Sequence, residues 1–297
     1  MVYQVYTHKD LDGAVSLLTF LWAFPDDYTR WKAYNNLQIN EIKKDLEEVN
    51  RPSPTFVLDL SLRQEFVQDL DLEYITFIDH HESSELFINN FKKAKIVYQN
   101  TTSNSLLMAQ KYSTINGFPA RTTAQKTLIA LADDFDCYRL KIPESYDLNI
   151  LFWSEYKNDF TKFIKDYQEG FKSFTPEQKK AIAYIKNSSQ EMARKLQLYS
   201  GNIQFGSKSK RVVAATGENF SNLCADFIMK EHKPDIFIFI NLKSEKVSIR
   251  QYNKEDPVNI GHFAEKICEG GGHKHAGGGV ITPLFMEVTK NLHPLNL

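Results

Sequence analysis

The sequence predicts an α/β protein whose N-terminal part contains a mostly parallel sheet. Short apolar runs rich in Val, Ile, Phe and Tyr alternate with segments of helical period over the first ~140 residues. Such alternation is typical of βαβ units, in which helices connect parallel strands. Several of these apolar runs end in acidic or imidazole side chains, which indicates that polar groups collect at one edge of the sheet.

The elements of the first half follow from these patterns. Residues 1–6 (MVYQVY) predict a strand, and residues 13–24 predict a buried helix that ends before Pro25. The segment NEIKKDLEEVN predicts a charged helix closed by the breaker RPSP at 51–54. The runs TFVLDLS (55–61), LEYITFI and KIVY predict further strands, and TTAQKTLIALADDFDCYRL predicts a helix.

The second half divides into a helical stretch and a smaller α/β region. The segments PESYDLNILFWSEYKNDFTKFIKDYQEGF and TPEQKKAIAYIKNSSQEMARKLQLYS are amphipathic and helical in pattern. The runs RVVAATG, DIFIFINL and KVSIRQY then predict new strands, and CEGGGHKHAGGGV has six glycines among thirteen residues. We therefore expect a first domain over 1–175, a helical linker over 176–200 and a second domain over 201–297.

Composition limits the classes of partner. The 297 residues are 42% hydrophobic and 25% charged, which is ordinary for a globular protein. A net charge of -1 offers no general attraction for polyanions, so we expect no stable binding of duplex nucleic acid. The three scattered cysteines form no zinc or disulfide pattern. With no signal-peptide pattern and no run of ~18 apolar residues, we expect a cytoplasmic protein without a membrane partner.

Acidic and imidazole residues follow four predicted elements and form the candidate site. They are His8, Asp10 and Asp12, then Asp59, then Asp79, His80 and His81, and finally Asp134. Each group alone is compatible with an ordinary polar turn, but convergence at one sheet edge would make the carboxylates raise one another's pKa. A pair of divalent cations removes that repulsion. Oxygen and imidazole ligands without thiolate suit manganese or magnesium, and two such ions serve phosphoester hydrolysis.

The glycine-rich segment of the second half is a candidate phosphate site. Consecutive glycines, including Gly271 and Gly272, allow backbone N–H groups to approach a phosphate closely. His273 supplies a further donor, and Arg250 in the VSIR strand supplies a guanidinium suited to a phosphate. The alternative interpretation is a flexible loop beside a histidine without function.

Four segments, HKDLDG, VLDLS, IDHH and ALADDFDCY, resemble the ordered motifs of the DHH phosphoesterase superfamily. The segment from KVSIRQY to GGGHKHAGG resembles the C-terminal domain associated with that family. The resemblance covers about residues 1–140 and 200–280, and it is greatest to the bacterial oligoribonucleases called nanoRNases. It implies a parallel-sheet DHH domain followed by a smaller domain that holds the far end of a short substrate.

The resemblance also implies roles for individual residues. Its metal ligands are His8 and Asp10 for one Mn²⁺, Asp12 and His80 for a second, Asp59 between the two, and Asp134 from the fourth motif. Asp79 would orient His80, and His81 would face the phosphate. Asp133 is the alternative to Asp134, because Asp133, Asp134 and Asp136 crowd together. Mg²⁺ or Co²⁺ are substitutes for manganese, and Arg250, Gly271, Gly272 and His273 would bind substrate.

The expected activity is hydrolysis of di- to pentanucleotides to mononucleotides by a water activated between two metal ions. Alternatives of the same fold are a cyclic or linear dinucleotide phosphodiesterase, a 3′-phosphoadenosine phosphatase and a RecJ-like single-strand exonuclease. A non-catalytic nucleotide sensor is the alternative from another class, and the full set of acidic motifs argues against it. The oligomeric state stays open, with a homodimer as one option.

Overall fold

The computed structural model describes residues 1–35, 39–48, 53–112, 122–205, 208–218, 222–253, 256 and 258–295. The chain forms two compact units, Met1–Ile182 and Ala183–Leu297. The division falls inside helix α8 (Pro176–Lys195), within the predicted linker. The last residues of that predicted helical linker instead begin a strand at Leu198, because this side chain is buried in the core of the second unit.

A five-stranded parallel sheet forms the centre of the first unit. Its strands are β1 (Val2–His8), β2 (Tyr28–Tyr34), β3 (Thr55–Leu58), β4 (Ile75–Asp79) and β5 (Lys95–Tyr98), in the order β2-β1-β3-β4-β5. All four pairings are parallel, so the predicted sheet type is confirmed. The edge strand β2 was not predicted. Its sequence, YTRWKAY, alternates exposed and half-buried residues and lacks the apolar run of an interior strand.

Helices cover both faces of this sheet. The α-helices that precede α8 are α1 (Leu11–Ala23), α2 (Ile39–Glu48), α3 (Gln64–Leu70), α4 (Asn104–Tyr112), α5 (Thr123–Asp136), α6 (Pro143–Leu151) and α7 (Phe160–Asp166). Helix α1 contacts α4, α5 and α7 and is buried on nearly all sides, which explains its apolar sequence. No helix in the described part of the chain has the length and apolarity needed to cross a membrane.

The second unit has a seven-stranded mixed sheet. Its strands are β6 (Leu198–Phe205), β7 (Lys208–Thr216), β8 (Ile236–Asn241), β9 (Lys246–Gln251), β10 (Gly271–His273), β11 (Ala276–Val280) and β12 (His293–Pro294), in the order β10-β11-β9-β8-β7-β6-β12. Helices α10 (Ile260–Cys268) and α11 (Pro283–Thr289) pack on one face, and α9 (Asn222–His232) packs on the other. The glycine-rich segment, for which a flexible loop was the alternative interpretation, forms the antiparallel hairpin β10-β11.

Candidate metal centre

The motif HKDLDG forms the junction between β1 and α1. Strand β1 ends at His8, and Asp10 caps α1 by accepting a hydrogen bond from the Gly13 backbone N–H at 2.8 Å. A Cβ on Gly13 would lie 2.1 Å from the His8 carbonyl oxygen, so only glycine allows this close approach. The first turn of α1 thereby holds Asp12, which is 2% exposed, beneath the carboxyl edge of the sheet.

Asp59 stands between two groups of side chains at this edge. Its Oδ2 lies 3.8 Å from Nδ1 of His8, which is itself 2.8 Å from Oδ2 of Asp10. Its Oδ1 lies 3.2 Å from Nε2 of His80. The first group is therefore His8, Asp10 and Asp59, whose ligand atoms are close enough to share one metal ion. The two oxygens of Asp59 face different groups, as a bridging carboxylate requires.

The second group collects around His80, which follows β4. Nε2 of His80 lies 3.4 Å from Oδ2 of Asp136 and 3.9 Å from Oδ2 of Asp12. Asp12, His80 and Asp136 can share one ion. Each group offers oxygen and imidazole nitrogen without sulfur, a donor set that suits Mn²⁺ or Mg²⁺ better than structural zinc. The edge therefore contains two candidate ion positions joined by Asp59, and the ligand atoms of Asp59, His80 and His81 form a third, overlapping group.

Burial without hydrogen bonding is the property that a cation would explain. Among the described residues, both oxygens of Asp59, Nε2 of His80 and Oδ2 of Asp136 are buried and form no hydrogen bond. Buried polar atoms in native proteins almost always have a partner. These atoms lie in one cluster, carry charges of both signs, and fit the binding of divalent ions.

The pKa values of the cluster reflect the same environment. Burial, followed by the negative charges of Asp10 and Asp12, raises the pKa of Asp59 well above its usual value. Burial and the charge of Asp12 raise the pKa of Asp136 to about 8. Burial lowers the pKa of His80, but contact with Asp59 and the charge of Asp136 outweigh it and raise the pKa overall. Without cations, the cluster thus holds protons that bound metal would displace.

Asp79 contacts His81 and not His80, contrary to expectation. Oδ1 of Asp79 lies 2.7 Å from Nδ1 of His81, and Oδ2 accepts a hydrogen bond from Ser84. Residues two apart in an extended segment point to the same side, so Asp79 and His81 pair while His80 points away. Although burial raises the pKa of Asp79, the charge of His81 outweighs it and lowers the value to about 2. Asp79 and His81 therefore form a hydrogen-bonded pair.

The fourth motif contributes Asp136, whereas we predicted Asp134 with Asp133 as the alternative. Asp134 caps the following turn, accepting hydrogen bonds from the Lys141 and Ile142 backbone N–H groups at 3.0 Å. Asp133 accepts from the Ser103 backbone N–H at 2.8 Å. Helical spacing does not single out Asp136, because buried Ile129 lies four residues before Asp133 just as fully buried Ala132 lies four residues before Asp136.

The glycine hairpin of the second unit has a different character. A Cβ on Gly270 would lie 1.8 Å from the Gly278 carbonyl oxygen, and one on Gly272 would lie 2.3 Å from that of Ala276. A Cβ on Gly271 meets nothing within 4 Å. Arg250 is paired with Ala276 across β9-β11, and its Nη2 donates to Asn222 Oδ1 at 3.1 Å. The His273 side chain lies outside the described part of the structure.

No protein-family model and no curated protein matches this sequence. Solved structures do match. The DHH domain of a member of a family of ribosomal proteins aligns with TM-score 0.61 and 15% identity, covering 97% of this chain and 84% of that one. A pGpG-specific phosphodiesterase, PggH, from Vibrio cholerae aligns with TM-score 0.55 and 15% identity, covering 97% and 96%.

A third match is RecJ from Thermus thermophilus in complex with Mn²⁺. It aligns with TM-score 0.57 and 12% identity, covering 99% of this chain and 53% of that chain. At these identities the likeness concerns the fold alone. The chain therefore has the α/β fold that these proteins share, with a parallel sheet and a second sheet.

Proposed function

We propose that the protein is a metal-dependent phosphodiesterase of the DHH phosphoesterase superfamily. The observation that carries the proposal is the cluster of buried, unbonded carboxylate and imidazole atoms around Asp59 at the carboxyl edge of the parallel sheet. Ligands bind at this edge in α/β proteins, and paired metal ions are a common device for hydrolysing phosphate esters. The four sequence motifs and the fold of the structural neighbours support the same assignment.

Six residues would hold two divalent ions. They are His8, Asp10 and Asp59 for one ion, and Asp12, His80 and Asp136 for the other, with Asp59 also reaching the second. We favour Mn²⁺, with Mg²⁺ or Co²⁺ as substitutes, because the donors are oxygen and imidazole. When bound, two such ions would activate a water and offset the charge of a phosphate.

The remaining residues of the site would orient groups and hold a proton. Ser84 accepts a hydrogen bond from the Leu62 backbone N–H at 2.8 Å and donates to Asp79, so Asp79 is fixed from behind. Ionised Asp79 keeps the proton of His81 on Nδ1 and sets the direction of the ring. When its second nitrogen is also protonated, His81 can donate a hydrogen bond to a phosphate oxygen.

For the substrate we propose short oligonucleotides of two to five residues, with mononucleotides as products. A net charge of -1 provides no general attraction for the many phosphates of a long strand. Arg250 and the open position at Gly271 are the groups of the second unit that we assign to phosphate binding.

A linear dinucleotide phosphodiesterase is the second candidate. It is favoured by the likeness to the pGpG-specific PggH, which covers nearly the whole of both chains. A RecJ-like single-strand exonuclease is a further alternative, supported by the likeness to RecJ structures that contain manganese.

The test is a substrate series with manganese present. End-labelled RNA and DNA of two to twenty-four nucleotides, pGpG, cyclic dinucleotides and 3′-phosphoadenosine phosphate are incubated with the protein and with an Asp59→Asn control. We expect turnover to fall steeply beyond about five nucleotides. Cleavage of dinucleotides alone would select the second candidate, and equal cleavage of the longest strand would select an exonuclease. No cleavage of any substrate would reject the phosphodiesterase assignment.

The role of Arg250 has its own test. Arg250→Ala should raise KM roughly 10- to 100-fold, since a charge-assisted hydrogen bond contributes about 1.5–3 kcal/mol. Bound manganese, measured by metal analysis, should stay unchanged, and Arg250→Lys should recover part of the affinity. Loss of metal from Arg250→Ala would contradict this assignment.

A further inference from the structure

The first turn of α4 receives two carboxylates from two other helices. The Asn104 backbone N–H donates to Oδ2 of Asp12 at 2.7 Å, and the Ser105 N–H donates to Oδ1 at 3.1 Å. One residue earlier, the Ser103 N–H donates to Oδ1 of Asp133 at 2.8 Å. All three hydrogen bonds are buried. Three successive amides thus bind Asp12 of α1 and Asp133 of α5, as the positive end of a helix favours.

Arg139 holds Asp133 in place and ties it to the segment before α4. Its Nη1 donates to the carboxylate of Asp133, and also to the Asp133 carbonyl oxygen at 3.0 Å. Its Nη2 donates to the Thr101 carbonyl oxygen at 3.0 Å. The guanidinium therefore fixes Asp133 and the backbone that leads into Ser103, and it offsets the charge of the carboxylate.

The side chains of Ser103, Asn104 and Ser105 also fix the first turn of α4 and connect it to α1. Ser103 Oγ lies 3.0 Å from Ser105 Oγ and accepts a hydrogen bond from the Leu106 N–H at 3.3 Å, which caps the helix. Asn104 Nδ2 donates to Ser16 Oγ of α1 at 3.0 Å. Ser103, Asn104 and Ser105 are fully buried. A displacement of this turn would therefore move both amides that orient Asp12.

We propose that Asp133, supported by Arg139, is a positioning residue that orients Asp12 through the first turn of α4. The inference deepens the proposed function and rests on its assignment of Asp12 as a metal ligand. Asp133 binds the amide next to the two that fix Asp12, so it acts on Asp12 through the backbone. Helix α5 therefore contributes to the second ion position in two ways. Asp136 would bind the ion, and Asp133 would orient Asp12. The ligand group of the first ion position, His8, Asp10 and Asp59, includes no residue of α5.

The experiment measures the two manganese affinities separately by titration calorimetry of the metal-free protein. Asp133→Ala should weaken one ion by roughly 10- to 100-fold, the usual effect of removing a group that supports a ligand. The other ion should bind as in the wild type. Asp134→Ala is the matched control, because the Asp134 carboxylate caps the turn at Lys141 and Ile142 and not an amide of α4, and it should leave both affinities unchanged. Two unaltered affinities in Asp133→Ala, or equal loss of both, would overturn the proposal.

Further variants distinguish a positioning role of Asp133 from general destabilisation of the protein. Arg139→Gln should reproduce the weakened ion, and Arg139→Lys should recover most of the affinity because it keeps the charge. In the metal-free protein, amide hydrogen exchange at Asn104 and Ser105 should accelerate in Asp133→Ala but not in Asp134→Ala. If the wild type binds no divalent ion, the proposed function fails. The exchange rates still decide the positioning role, and unaltered exchange rejects it.

Discussion

The carboxyl edge of the parallel sheet and the glycine hairpin are both regions that a sequence search selects as functional, yet they are built differently. At the sheet edge, buried atoms of Asp59, His80 and Asp136 form no hydrogen bond within the described residues. In the hairpin, a Cβ on Gly278 or Gly279 would lie 2.5 Å or 2.2 Å from a backbone carbonyl oxygen. The buried, unbonded polar atoms of the sheet edge are thus explained by a bound ligand. In the hairpin, close backbone packing already explains most of the glycines.

The largest effect should come from Asp59. Asp59→Asn removes the charge that both ion positions share, and it should reduce kcat by at least about three orders of magnitude, since several kcal/mol of transition-state stabilisation depend on the metal ions. Metal analysis should show loss of manganese while circular dichroism stays unchanged. If Asp59→Asn kept its activity and two bound ions, the sheet edge would not need Asp59 as a metal ligand. The difference that we draw between the sheet edge and the hairpin would then be lost.

Two carboxylates of α5 provide the next comparison. Asp136→Asn should lose one ion and most of the activity, because Asp136 faces His80. Asp134→Asn should keep both ions and lower the free energy of unfolding by about 1 kcal/mol, the usual cost of a weakened cap. Manganese titration and urea unfolding measure the two effects. The reverse result would restore Asp134 as the ligand of the fourth motif.

Glycine substitutions test the packing explanation. Gly279→Ala should destabilise the protein by roughly 1–3 kcal/mol, because its Cβ would overlap the Cys268 backbone. Gly271→Ala should change stability by less than about 1 kcal/mol, since its Cβ meets open space. Urea unfolding measures both, and KM should rise only in Gly271→Ala. Equal destabilisation by the two variants would contradict the packing explanation.

The last test concerns pH. The pKa of Asp136 is about 8 in the folded protein against a usual 3.8, so the folded state holds more protons than the unfolded chain between these values. Stability of the metal-free protein should therefore fall as pH rises from about 5 to 8. Manganese should raise Tm more at pH 8 than at pH 6, because it binds the ionised carboxylate. Asp136→Asn should flatten both trends, and an unchanged slope in this variant would be the contrary result.

Sequence reasoning predicted every strand of the parallel sheet except the edge strand β2. Strands β1, β3 and β4 are continuous apolar runs that end in charged residues, so their parallel arrangement and the meeting of His8, Asp59 and His80 could be predicted. Strand β2 was missed because an edge strand needs no apolar run. Asp136 was missed because three aspartates share one turn of α5, and the sequence does not show which of them faces His80.

The backbone of Asp59 has a positive φ angle, which affects stability as well as the metal site. Its φ is 59°, in the left-handed region that a residue with a Cβ enters at a cost of about 1 kcal/mol or more. Glycine would adopt this conformation without strain and would also remove a buried, repelled carboxylate. Asp59→Gly should accordingly make the metal-free protein more resistant to unfolding while removing its activity. At this position, selection for folding alone and selection for catalysis would favour different residues, so an aspartate retained there among related sequences would itself indicate catalytic function.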